Sequence, residues 1–200
     1  LPLPVKSSPG FLVNRILMPY IMEAVILVDE GIAPEDIDHV AVEFGMPMGP
    51  IELADVVGLD ICSHVGKVLA DAFDLPVSDR LQQKLDQGEL GRKSGQGFYQ
   101  WKNGKVSKQN KPNSSIDKSV QDRLILSLVN ETVKCLEEGL LEDADLLDAG
   151  VIFGTGFAPF RGGPVQYAKT AGPIKLRDRL SELQSRHGER FKASSGWSQL

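Results

Sequence analysis

Apolar residues recur at helical spacing along most of this 200-residue chain, and proline and glycine mark where each run starts and stops. Residues 11–30 (FLVNRILMPYIMEAVILVDE) are apolar around nearly the whole circumference of a helix, which predicts an element buried on all sides. Gly31 is placed to end it. Pro34, with Glu35 and Asp36 behind it, predicts a second helix, because proline suits the first helical position and acids suit that end of the dipole. Gly45 stops this helix. Gly49-Pro50 opens a third through about Val57, Asp60 reads as the cap of a fourth through about Phe73, and Ser78-Asp79 opens a short one ending near Gly88. Phe98-Tyr99-Gln100-Trp101, then Asn103-Gly104, then Lys105-Val106 predicts a small hairpin with a type I′ turn. Further helices are expected from about Asp117 to Glu138, ended by Gly139, and over 143–152, 164–170 and 173–187. The pattern is that of an all-α protein with one hairpin near 98–106.

The two halves repeat. Glu23–Gly31 (EAVILVDEG) aligns with Glu131–Gly139 (ETVKCLEEG) at a shift of 108 positions. Asp38 then pairs with Asp148, and Gly49-Pro50 with Gly163-Pro164. A repeat of this length is a duplicated domain, since solenoid units run about 20–50 residues. The expected organisation is a first helical domain over 1–106, a polar linker over 107–116, and a second, degenerate copy over 117–200.

Composition narrows the function classes. The chain is 42% hydrophobic and 24% charged with a net charge of −5, which argues against nucleic acid as a partner. Cys62 and Cys135 are too few for a disulfide framework and suit a reducing compartment. The most apolar segment, 11–28, is broken by Asn14, Arg15, Pro19 and Glu23, whereas a membrane span needs about 20 nearly unbroken apolar residues. A cytoplasmic location is the default expectation. The opening Leu1-Pro2-Leu3-Pro4-Val5-Lys6 reads as a linker, so the chain is expected to be a piece of a longer protein.

Two glycine-rich words invite and fail a nucleotide-binding reading. Gly154-Thr155-Gly156-Phe157-Ala158-Pro159 lacks the last glycine of the dinucleotide fingerprint and follows a helix. Gly91-Arg92-Lys93-Ser94 lacks the upstream glycine of a phosphate loop. No cofactor-binding residue is therefore expected. His39, His64 and His187 lie far apart without ligand-type pairing, so no metal site is expected either.

The run Ser8-Pro9-Gly10-Phe11-Leu12-Val13-Asn14-Arg15 reads as a tight turn feeding the first helix. Asn is a mediocre helix former, costing roughly 0.5–0.7 kcal/mol against Ala. Asn14 therefore has either a fixed hydrogen-bonding task or a bland place at the first turn, capping it or facing water; spacing alone leaves both open. With it come Gly45-Met46-Pro47-Met48-Gly49-Pro50, Leu53-Ala54-Asp55, Gly58-Leu59-Asp60 and Gly91-Arg92-Lys93-Ser94-Gly95-Gln96-Gly97-Phe98-Tyr99. In this order the words resemble the C-terminal, all-helical part of the 3-hydroxyacyl-CoA dehydrogenases. Phe153 to Pro164 looks like the end of the multifunctional fatty-acid oxidation branch, which carries the helical unit twice.

That resemblance implies the substrate-binding and dimerisation portion of an NAD-dependent enzyme that oxidises 3-hydroxyacyl-CoA to 3-oxoacyl-CoA in β-oxidation. NAD and a catalytic His–Glu pair would belong to an upstream domain, so these 200 residues alone should show no turnover. Asn14 matches the family asparagine that contacts substrate and helps hold the catalytic group, which makes it the catalytic and substrate-binding candidate. Phe153 matches a position where multifunctional relatives often place a substrate-contacting tyrosine; here no hydroxyl remains, and a plain core role is the alternative. Arg92, Lys93 and Arg161 are left between CoA phosphates and ordinary ion pairs. Met46 and Met48 are left between an acyl cleft and the core. The implied partners are acyl-CoA, the upstream NAD-binding domain and a second copy in a homodimer, with room for a thiolase. The alternative is a free-standing helical interaction module without catalysis.

Overall fold

In the computed structural model the described residues are 3–73, 78–108 and 117–200. They form α1 (Val13–Asp29), α2 (Pro34–Phe44), α3 (Pro50–Val57), α4 (Leu59–Phe73), α5 (Asp79–Asp86), the strands β1 (Gln100–Lys102) and β2 (Lys105–Ser107), then α6 (Lys118–Glu137), α7 (Ala144–Thr155), α8 (Pro164–Ala171) and α9 (Pro173–His187). The chain is all-α with a single two-stranded antiparallel hairpin among the described residues.

Punctuation in the sequence accounts for the element ends. The helices α2, α3, α8 and α9 all begin at a proline, whose missing N–H would have been an orphan there. Ser78 caps α5 by accepting from the Arg80 backbone at 3.0 Å. Both long helices close in the same way. Gly31 N–H donates to Val28 and Ile32 N–H to Leu27; 108 residues later Gly139 N–H donates to Leu136 and Leu140 N–H to Cys135. This is a Schellman closure in each case. Asp60 departs from expectation: α4 already starts at Leu59, so Asp60 lies inside the first turn instead of capping it. Its carboxylate accepts from Lys93 Nζ at 2.6 Å, and that bond holds it below its usual range.

The hairpin is fixed from within and from below. Asn103 and Gly104 both have positive φ (52° and 73°), as a type I′ turn demands. Beneath it, the buried Asp55 carboxylate on α3 accepts from Phe98 N, Tyr99 N and Trp101 Nε1, each at 2.9 Å. A Cβ on Gly97 would come closer than 3.0 Å to that carboxylate, so only glycine lets the segment sit there. Burial still raises the Asp55 carboxyl above its ordinary value, against the pull of the Trp101, Tyr99 and Phe98 bonds.

The chain divides into two compact units, one made of Leu1–Pro19 with Ile125–Leu200 and the other of Tyr20–Leu124. The division falls inside α1 and α6, so each long helix contributes one segment to either unit. Of the expected linker, residues 109–116 lie outside the described residues. In the Tyr20–Leu124 unit, Asp38 on α2 accepts from Ile51 N (2.8 Å) and Glu52 N (3.2 Å) at the start of α3, and from Tyr99 Oη (2.8 Å). In the other unit, Asp148 on α7 accepts from Val165 N (2.7 Å) and Gln166 N (2.8 Å) at the start of α8. Each carboxylate satisfies the orphan donors of a proline-started helix. A Cβ on Gly49 or on Gly163 would meet its carboxylate below 3.0 Å, which is why Gly-Pro precedes both helices.

A second duplicated feature is charged. Arg123, 3% exposed, bonds Glu23 at 2.6 Å and forks onto Glu30 at 2.5 and 2.8 Å. Arg15, 2% exposed, bonds Glu131 at 2.8 Å and Glu138 at 2.7 Å. Arg123, Glu131 and Glu138 each follow Arg15, Glu23 and Glu30 by 108 positions. Each arginine therefore neutralises the carboxylates of the other sequence repeat.

Candidate functional site

The entry to α1 is set by Ser8-Pro9-Gly10-Phe11. Phe11 N–H donates to Ser8 C=O at 2.9 Å, and Gly10 at φ 74° follows Pro9, the arrangement of a type II turn. Arg15 Nη1 donates to Ser8 Oγ at 3.0 Å and ties the turn to the helix. Phe11 itself lies at φ 51°, a left-handed conformation that costs a non-glycine residue about 1–3 kcal/mol. Its ring is 65% exposed, so core packing does not repay that strain.

One residue separates opposite fates on α1. Arg15 is buried, whereas Asn14, the second residue of the helix, is exposed. Asn14 does not cap the helix, and among the described residues its amide forms no hydrogen bond with the protein. The amide is thus held on a rigid element and presented outward.

Opposite this start runs α7, where Gly150 and Gly154 make the approach close. A Cβ on Gly154 would lie 2.5 Å from Val13 Cγ2, and one on Gly150 would lie 3.2 Å from Leu12 Cδ2 and nearer still to Leu3. Between these walls is a groove of about 720 Å³, lined by Leu3, Phe11, Asn14, Leu146, Phe153 and their neighbours. Both sequence-derived site residues, Asn14 and Phe153, line this one groove. Phe153 is 80% exposed, which excludes the core role left open for it.

The other candidates separate. Lys93 is engaged by Asp60. The Arg161 guanidinium stands 5.1 Å from the Phe160 ring and 5.6 Å from the Tyr167 ring, in a separate cleft of about 470 Å³. Met46 is core, 3% exposed. Cys62 and Cys135 are buried, and burial pushes both thiols up to about 12. Sequence reasoning did not find Leu3, Phe11, Leu146, Gly150 or Gly154 as groove residues. Only Phe11 carried a local signal, as a large apolar residue directly after a Pro-Gly turn.

Among the described residues, no group of three or more His, Cys, Asp or Glu side chains is placed to hold a metal ion. Among the same residues no helix is long and apolar enough to cross a membrane. The hairpin is the only sheet among the described residues, and a dinucleotide fold needs parallel strands with a crossover helix. The described residues therefore supply no dinucleotide fold for NAD.

The described residues define an all-α domain in which the Asp and Arg clusters each occur twice. Residues 10–101 match the family described as 3-hydroxyacyl-CoA dehydrogenase, C-terminal domain. The fatty acid oxidation complex subunit alpha of Vibrio cholerae is 37% identical over 215 residues, covering 98% of this chain. That of Shewanella baltica is 39% identical over 208 residues, covering 96%. The chain spans 29% of the length of each of these relatives. Among solved structures, the dehydrogenase part of multifunctional enzyme 1 from C. elegans superposes over 100% of this chain and 49% of its own, with a TM-score of 0.73 and 25% identity. The 3-hydroxybutyryl-CoA dehydrogenase from Escherichia coli shares the fold at TM-score 0.78, covering 98% of this chain and 60% of its own, with 22% identity.

Proposed function

We propose that this chain is the substrate-binding, C-terminal portion of an NAD-dependent 3-hydroxyacyl-CoA dehydrogenase of fatty-acid β-oxidation. The observation that carries the reading is the meeting of Asn14 and Phe153 in one groove, the two positions matching the family's substrate contacts. The Asn14 amide donates to the thioester or 3-oxo oxygen, where negative charge builds as the 3-hydroxyl is oxidised, while its own carbonyl accepts from a neighbour. Phe153 supplies an apolar or stacking contact where a tyrosine would add a hydrogen bond. Hydride acceptance and the catalytic base belong to residues outside this chain. The same reading includes a homodimer, for which Ile61 (47% exposed) and Val68 (43% exposed), one stripe of α4, offer apolar surface. A cytoplasmic location and a thiolase partner complete it.

The test is Asn14→Ala in the protein that contains this chain and its upstream region. Loss of one donor at a developing charge costs roughly 100- to 1,000-fold in turnover. Because Asn14 is exposed and bonds nothing among the described residues, stability should change by no more than about 0.5 kcal/mol. Normal turnover in that variant removes the catalytic assignment of Asn14, whereas no turnover in the unaltered protein leaves the helical interaction module standing.

A further inference from the structure

We infer that the Asn14–Phe153 groove holds the fatty-acyl chain of the ligand and not its charged CoA end, and that Leu146 sets the preference for chain length. This deepens the function proposed above and rests on it. The groove is lined by Leu3, Val5, Phe11, Leu12, Val13 and Leu146 among others, and no lining residue carries a charge. Asn14 brings its one side-chain amide. A polyphosphate head needs guanidinium or ammonium donors, and none lines this surface. A ligand with one carbonyl-type oxygen and a long hydrocarbon remainder fits both features.

Exposure supports the same occupant. Phe11 (65%), Leu146 (51%) and Phe153 (80%) are large apolar side chains left to solvent, and all three line this groove. Phe11 is held there in a left-handed backbone conformation. The volume, about 720 Å³, lies within the roughly 300–1,000 Å³ typical of small-molecule sites. The walls approach closely because α7 carries Gly150 and Gly154 where any larger residue would push Leu3, Leu12 and Val13 away. Leu146, one helical face along from Phe153, lies seven residues earlier on α7, about 10 Å along the axis. A chain whose oxygen meets the Asn14 amide beside Phe153 reaches Leu146 only if it is long enough to cover that distance.

The test is a calorimetric titration of the 200-residue chain with CoA, butanoyl-CoA, octanoyl-CoA and dodecanoyl-CoA, each below its micellar concentration. Each methylene taken into the groove tightens binding by up to about fourfold, the equivalent of about 0.8 kcal/mol. The dodecanoyl ligand should therefore bind at least about tenfold tighter than the butanoyl one, with CoA alone weakest. Leu146→Lys should flatten the series. Ile174→Lys, at an equally apolar, 75% exposed position outside the groove, should preserve it. Both positions are exposed, and matched melting curves confirm that the variants fold. A flat wild-type series overturns the inference and leaves the groove as a face for another protein segment. A series unchanged in Leu146→Lys, or flattened equally by Ile174→Lys, also overturns it. A flat series together with lost turnover in Asn14→Ala sinks this inference alone. A steep series together with normal turnover in Asn14→Ala sinks the catalytic role of Asn14 and keeps an acyl-chain groove.

Discussion

Replacing Arg123 with Met should be among the most damaging single changes in the Tyr20–Leu124 unit. The guanidinium is almost wholly buried, with Nε 2.6 Å from Glu23 Oε1 and a two-pronged contact to Glu30. Its two carboxylates bear the loss differently. Glu30 has 41% of its side chain exposed and can regain water; Glu23, with 2%, cannot. The variant thus removes the arginine charge that faces a buried carboxylate, a change worth about 3–5 kcal/mol. At roughly 2–4 °C per kcal/mol for a chain of this size, the melting temperature should fall by about 6–20 °C. Urea titration of wild type, Arg123→Met, Glu23→Leu and the double variant closes a thermodynamic cycle. The double variant should recover most of the loss, because two apolar side chains replace a desolvated pair at little net cost. A single-variant loss below about 1 kcal/mol, as for an exposed ion pair, would refute the reasoning. So would a double variant no more stable than Arg123→Met.

Two further outcomes are expected. Burial pushes the Asp38 carboxyl up to about 6, against the opposing bonds from Tyr99 and Ile51, whereas the unfolded value is about 3.9. Between those values the folded state holds more protons, so this group's contribution is full below about pH 4 and is lost as pH rises through 6. The stability difference between wild type and Asp38→Asn should shift against wild type by about 2 kcal/mol from pH 4 to pH 7; a flat difference in urea midpoints would contradict the assignment. The chain should sediment as a dimer at micromolar concentration, and Ile61→Lys with Val68→Glu should make it monomeric; a wild-type monomer would remove the homodimer from the proposal.

Much of the secondary structure was legible because it is written locally. Pro34, Pro50, Pro164 and Pro173 start helices, Gly31, Gly45 and Gly139 close them, and Asn103-Gly104 turns the hairpin, each through its own backbone preference. Asp60 misled because an acid near a helix start serves equally at the cap or within the first turn, and Lys93 decided between them. The groove was half legible. Asn14 and Phe153 stood out by resemblance, but their meeting depends on Gly150 and Gly154, whose small size reads in sequence only as poor helix propensity. The buried charge clusters were not foreseen at all. Arg15 and Arg123 show no partner in a window of neighbours, since the carboxylates that justify their burial lie about a hundred residues away.

That separation has a consequence in time. On a ribosome adding about 5–20 residues per second, Glu23 leaves the tunnel roughly 5–20 s before Arg123, which lies 100 residues later. Arg15 precedes Glu131 by 116 residues and waits roughly 6–23 s. Throughout that interval the first repeat carries one cation and one anion that its fold intends to bury, with the matching charges not yet made. Either α1 stays wet until α6 arrives, or its apolar faces meet something else first. The nascent first repeat is therefore made well before the charges that its buried groups face, and pausing translation just before Arg123 would lengthen that wait.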